Sequence, residues 1–125
     1  MILGFKEQFK QKIIDGTKKH TIREDMYDRW EAGRIIHFAT GVRTKHYDCF
    51  KIDVCKSTQK IETGIRNVEK GVFECAIKID GRVLSEREAE QFVIRDGFRS
   101  IPDFFDFFNF TYFKGKIIHW TDLKY

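Results

Sequence analysis

The two ends of this chain are patterned as strands, and the helical periodicity lies between them. Residues 2–5 form a short apolar run at one end; residues 116–123, with Ile117, Ile118 and Trp120, form another at the opposite end. A sheet that draws on both ends of its sequence is closed by the last strand, with the intervening helices packed onto it. That order is α+β and not a βαβ repeat. It predicts a small, mostly antiparallel β-barrel with about three helices.

The interior segments fill in this frame. Residues 6–15 carry Phe9, Ile13 and Ile14 at helical spacing, and Gly16 stands where a glycine ends a helix. Residues 19–23 read as extended, 26–32 as a turn that anchors Trp30, and 34–40 as a strand. Residues 47–58 alternate as one long strand, with Cys49, Lys51, Asp53 and Cys55 on one face and Phe50, Ile52 and Val54 on the other. Residues 59–71 are ambiguous. Residues 73–84 read as a hairpin, because Asp80-Gly81 suits a type I′ turn. Ser85-Glu86-Arg87-Glu88 has the capping-box pattern and opens a helix over 85–95; Ser100 caps another over 101–110, with Pro102 in its first turn.

At 125 residues, with no repeat, low-complexity tract or linker, residues 1–125 read as one domain. The apolar start is cut short by Lys6 and Glu7, far below the roughly 7–15 apolar residues of a signal or the about 20 of a membrane span. A cytoplasmic protein with no membrane partner is the expectation. Cys49, Cys55 and Cys75 form no CxxC pair, and His20, His37, His46 and His119 are scattered, so neither a metal nor another cofactor is expected. Lys plus Arg outnumber Asp plus Glu by 23 to 19, which is compatible with a nucleic-acid or nucleotide partner without requiring one. Nothing in the pattern specifies an oligomeric state.

The chemistry-bearing segment is Asp15-Gly16-Thr17-Lys18-Lys19-His20-Thr21-Ile22-Arg23. On an extended strand Thr21 and Arg23 project to the same side. Lys18 joins them only if it lies in a turn after Gly16, which a glycine's freedom at positive φ permits. The plain alternative is a solvated turn and an edge strand, with Arg23 pairing to Glu24 or Asp25. The aromatic residues carry two readings as well. Most of the thirteen Phe serve a core, and any surplus lines a pocket or a dimer contact; Tyr27, Trp30 and Trp120, each near a turn or the closing strand, are candidate ligand-stacking walls.

The spacing Gly16-x-Lys18-x-x-Thr21-x-Arg23 resembles the signature of the ASCH family, a branch of the PUA-like β-barrels. The flanks match too: Ile13-Ile14-Asp15-Gly16 before it, and Arg29-Trp30-Glu31-Ala32-Gly33-Arg34-Ile35-Ile36 after it. The stretch ending Asp96-Gly97-Phe98 and the phenylalanine-rich segment resemble the family's second half, while residues 41–71 diverge. Thr21, where many members have Glu, is similar to the branch of bacterial N4-acetylcytidine amidohydrolases. That resemblance implies RNA or a modified nucleoside as partner, and hydrolysis of N4-acetylcytidine to cytidine and acetate. It implies Lys18 and Thr21 as catalytic residues, with Asp96, one methylene shorter, at or near the place of the family's distant Glu. Gly16, Arg23, Tyr27, Trp30 and Trp120 are the accompanying ligand-binding candidates.

Such a set is chemically coherent. A threonine hydroxyl needs a base beside it, and a lysine becomes one only when desolvation lowers its pKa. A carboxylate can then pass a proton to the departing amine. Arg23 stays charged and binds an anion or orients a carboxylate. The alternative is a non-catalytic module that holds RNA or a nucleotide in the same cleft; a nuclease would need clustered metal-binding carboxylates, which the sequence lacks.

Overall fold

The computed structural model describes residues 1–68, 72–108 and 112–125, with the backbone alone over 65–68 and 72–75. The described residues form an α+β fold of three helices and eight strands, the strands divided between two sheets. The smaller sheet has the order β1-β3-β4, from β1 (Ile2–Phe5), β3 (Ile35–Thr40) and β4 (Asp48–Val54). The larger has the order β2-β8-β5-β6-β7, from β2 (His20–Arg23), β8 (Phe113–His119), β5 (Ser57–Val68), β6 (Val72–Ile79) and β7 (Arg82–Val83). All described strand pairs are antiparallel except β1 with β3.

The strand expected over 47–58 is two strands in two different sheets. Cys55 still bonds to the first: its N–H donates to the Arg34 carbonyl at 2.8 Å and its own carbonyl accepts from Gly33 N–H at 2.8 Å. One residue later, Lys56 N–H donates to the His119 carbonyl at 2.8 Å, and the chain has entered the second sheet. Residues 55–56 are thus the corner where one sheet hands over to the other. The ambiguous stretch after it is β5, while 69–71 lie outside the described residues. The final strand is shifted towards the N-terminus of its expected range, so residues 120–125 leave the sheet.

The three helices are α1 (Glu7–Ile14), α2 (Glu86–Arg95) and α3 (Ile101–Phe107). In α2 the capping box forms in full, Ser85 accepting from Glu88 N–H and the Glu88 carboxylate from Ser85 N–H. The third helix ends at Phe107, and 109–110, the end of its expected range, lie outside the described residues. Asp80 and Gly81 take φ of 48° and 84°, the two positive values a type I′ turn requires. The core lies between sheets and helices, with Phe38, Phe92, Phe104, Ile36, Ile61, Ile117 and Ile118 wholly buried. Each such side chain contributes about 1.5–3 kcal/mol of apolar burial. Among the described residues no helix is long and apolar enough to cross a membrane.

Candidate functional site

The turn between α1 and β2 places the first candidate residue. Asp15 ends α1, Gly16 takes a φ of 85°, and the Asp15 carboxylate accepts Thr17 N–H at 2.9 Å. Lys18 N–H then donates back to the Lys12 carbonyl at 2.9 Å, and Lys19 N–H to the Arg95 carbonyl at 2.7 Å. These bonds turn the Lys18 side chain inward, against the C-terminal end of α2. Gly97, at φ 101°, makes room for it: a Cβ there would stand 2.9 Å from the Phe9 ring and 3.1 Å from Lys18 Cδ.

Lys18, Thr21, Arg23 and Asp96 line one cavity of about 230 Å³. Phe5, Phe9, Phe98, Phe107 and Phe108 form its apolar wall, and Gly4, Lys6 and Ile22 complete it. Wider depressions occur elsewhere, but none of those described contains any of the four polar residues. Lys18 and Asp96 are each 2% exposed and Thr21 is 3% exposed, so the chemistry-bearing groups are buried.

Lys18 Nζ donates to the Asp96 main-chain carbonyl and lies 3.5 Å from Asp96 Oδ1. Burial pushes its pKa down to about 8; the Asp96 charge opposes that fall, while the Arg23 and Lys12 charges add to it. Arg23 Nη1 donates to Thr21 Oγ1 and to the Ile22 carbonyl, each at 3.0 Å, and Nη2 to the Gly4 carbonyl at 2.6 Å. Its guanidinium also sits over the Phe5 ring, 5.0 Å from the centroid. Burial lowers the Arg23 pKa, yet a guanidinium keeps its proton at neutral pH. The surface-pair alternative for Arg23 is not what forms, because Asp25 pairs with Lys116 Nζ at 3.2 Å.

The aromatic candidates lie elsewhere. Tyr27 is 77% exposed, with the Arg29 guanidinium over its ring at 5.5 Å. Trp30 is buried outside the cavity, in a loop that the Asp25 carboxylate clamps by accepting Arg29 N–H and Trp30 N–H at 2.9 and 2.8 Å. Trp120 packs edge-on against Phe38 and Phe5 at 4.8 and 6.4 Å, one ring behind the cavity wall. Gly16 serves the turn and does not line the cavity. The wall is phenylalanine, drawn from β1 (Phe5), α1 (Phe9), the connection between α2 and α3 (Phe98) and the C-terminal end of α3 (Phe107 and Phe108).

Sequence reasoning missed the groups behind Asp96. His20 Nδ1 lies 2.9 Å from Asp96 Oδ1, and His20 Nε2 lies 2.6 Å from the Tyr125 hydroxyl. The histidines that look scattered in sequence are partly gathered: His20 faces His119 across β2 and β8, with ring centroids 5.3 Å apart. Among the described residues no three His, Cys, Asp or Glu side chains are grouped as metal ligands are. The chain matches no family model, no curated protein and no solved structure.

Proposed function

We propose that this chain is an ASCH-like, PUA-like domain that takes RNA or a modified nucleoside into the Lys18 cavity and hydrolyses N4-acetylcytidine to cytidine and acetate. Its two sheets are, on this reading, the halves of an open barrel. The observation that carries the proposal is a buried lysine, its pKa pushed down to about 8 by burial, lining the same cavity as a buried threonine and carboxylate. Core packing has no use for a desolvated ammonium, whereas a base needs its pKa near the working pH.

Thr21 Oγ attacks the acetyl carbonyl carbon, and neutral Lys18 takes the hydroxyl proton, directly or through one water. Arg23 Nη1, 3.0 Å from Thr21 Oγ1, stands beside the attacked carbonyl and stabilises the negative charge that develops on its oxygen. The C–N bond breaks, and the amine leaves with a proton passed from Lys18 beside Asp96. Water then cleaves the acetyl-Thr21 ester, giving acetate and restoring the hydroxyl. The phenylalanine wall stacks the pyrimidine and keeps bulk water out.

The binding-module reading is favoured by a different observation: Lys18 Nζ is engaged by Asp96, and among the described residues no hydrogen bond joins it to Thr21. Incubating the protein with N4-acetylcytidine and following cytidine by chromatography separates the two. Hydrolysis by the wild type, abolished by Thr21→Val and by Lys18→Met with the fold intact, supports the enzyme. No turnover, with cytidine or RNA binding weakened by Lys18→Met, supports the module.

A further inference from the structure

The proposed chemistry leaves unexplained a string of polar side chains behind Asp96. His20 is wholly buried, stacked on Phe92 with centroids 5.0 Å apart. Its two nitrogens are both engaged, Nδ1 by Asp96 Oδ1 and Nε2 by the Tyr125 hydroxyl. Tyr125 is itself fixed, because Gln59 Nε2 donates to its carbonyl at 2.7 Å and Gln59 Oε1 accepts its N–H at 3.0 Å. Gln59 Oε1 also accepts from His119 Nε2 at 3.0 Å.

The tautomer follows from these partners. A carboxylate only accepts, so the His20 proton sits on Nδ1; the bare Nε2 then accepts the Tyr125 O–H. Burial keeps both groups in those states, lowering the His20 pKa and raising that of Tyr125 to about 12. Distances decide who holds the carboxylate. His20 has Oδ1 at 2.9 Å, whereas Lys18 has it at 3.5 Å, well beyond the about 2.7–2.9 Å of a tight charge-assisted bond.

We propose that His20 and Tyr125 are positioning residues: the Asp96 carboxylate sets the Nδ1–H tautomer of His20, the Tyr125 hydroxyl anchors the ring through Nε2, and the anchored N–H holds Asp96 Oδ1 back from Lys18 Nζ. The lysine is left without a closed carboxylate ion pair, which is the condition under which it can give up a proton. This rests on the amidohydrolase reading for its purpose but not for its geometry. The charged and titratable groups facing these residues are Asp96, Lys12 and Arg23 around Lys18; Asp96, Lys18, Arg95, His119 and Tyr125 around His20; and Arg95 and Asp96 around Tyr125.

The test is nuclear magnetic resonance on the whole chain, reading the His20 ring nitrogens and the titration of Lys18 Nζ. In the wild type His20 should carry its proton on Nδ1 at neutral pH. In His20→Leu the freed carboxylate closes on Lys18, and the lysine's acid constant should weaken by about tenfold. His20→Asn, whose amide N–H replaces Nδ1–H, should restore the wild-type titration. Tyr125→Phe keeps the packing, should fold even where His20→Leu does not, and should keep the Nδ1–H tautomer while showing a smaller Lys18 shift in the same direction, because the ring loses its anchor at Nε2. An Nε2–H tautomer in the wild type overturns the proposal. So does an unmoved Lys18 titration in Tyr125→Phe, or a shift in His20→Asn equal to that in His20→Leu. These readings need no turnover, so a wild type inert towards N4-acetylcytidine would defeat the amidohydrolase reading and leave this one to be decided by its own result.

Discussion

Lys18 is the residue on which the proposed chemistry turns, and its environment sets the sign of the expected pH dependence. Burial lowers its pKa to about 8, and only the neutral amine takes a proton from Thr21. Hydrolysis should rise with pH through about 8 and level off above it, as a pH–rate profile would show; a rate that falls through that range contradicts Lys18 as the base. The same residue shows what one sequence can and cannot reveal. Its inward turn was legible, because Gly16 sits where a helix ends and permits the positive φ that brings Lys18 beside Thr21 and Arg23. The role of His20 was not, although it stands one position before Thr21. Its partners are 76 and 105 residues away, and no local spacing reports them.

At the scale of elements, the meeting of α1, α2 and the turn before β2 is held by a close approach at Gly97. Any side chain there meets Phe9 and Lys18 while sitting at a φ of 101°. Gly97→Ala should destabilise the fold by about 1–3 kcal/mol, measured as a lower denaturant midpoint, and should displace Lys18 enough to cut turnover. A variant as stable and as active as the wild type would show that this contact does not set the cavity. Elements with strong local chemistry were readable: the Asp80-Gly81 turn and the Ser85/Glu88 capping box. The break at residues 55–56 was not, because Cys49, Lys51, Asp53 and Cys55 keep in step across it and neither glycine nor proline marks the corner. What bends the chain there is a change of hydrogen-bond partner, from Arg34 in one sheet to His119 in the other.

For the whole molecule, the buried basic groups act on stability in one direction. His119 is buried, and burial with the nearby His20 pushes its pKa down to about 4, so the folded chain refuses a proton that the unfolded chain accepts below about 6.5. Stability should fall as pH drops from about 6.5 to 4, and His119→Gln should flatten that slope in denaturant midpoints taken across the window; an unchanged slope would assign the acid loss to other groups. Lys18 works in the same sense at higher pH: its cost is fully present below about 8 and is relieved as pH rises towards 10.5. The molecule thus keeps at its centre a lysine that weakens the fold under ordinary conditions, which is intelligible if that lysine has chemistry to do. The most direct measurement is to quench a reaction with N4-acetylcytidine in acid, digest the protein and locate the acetyl group by mass spectrometry. An acetyl ester on Thr21, absent from Lys18→Met, is the predicted result. Release of cytidine with no acetyl group on Thr21, or no release at all, would contradict it.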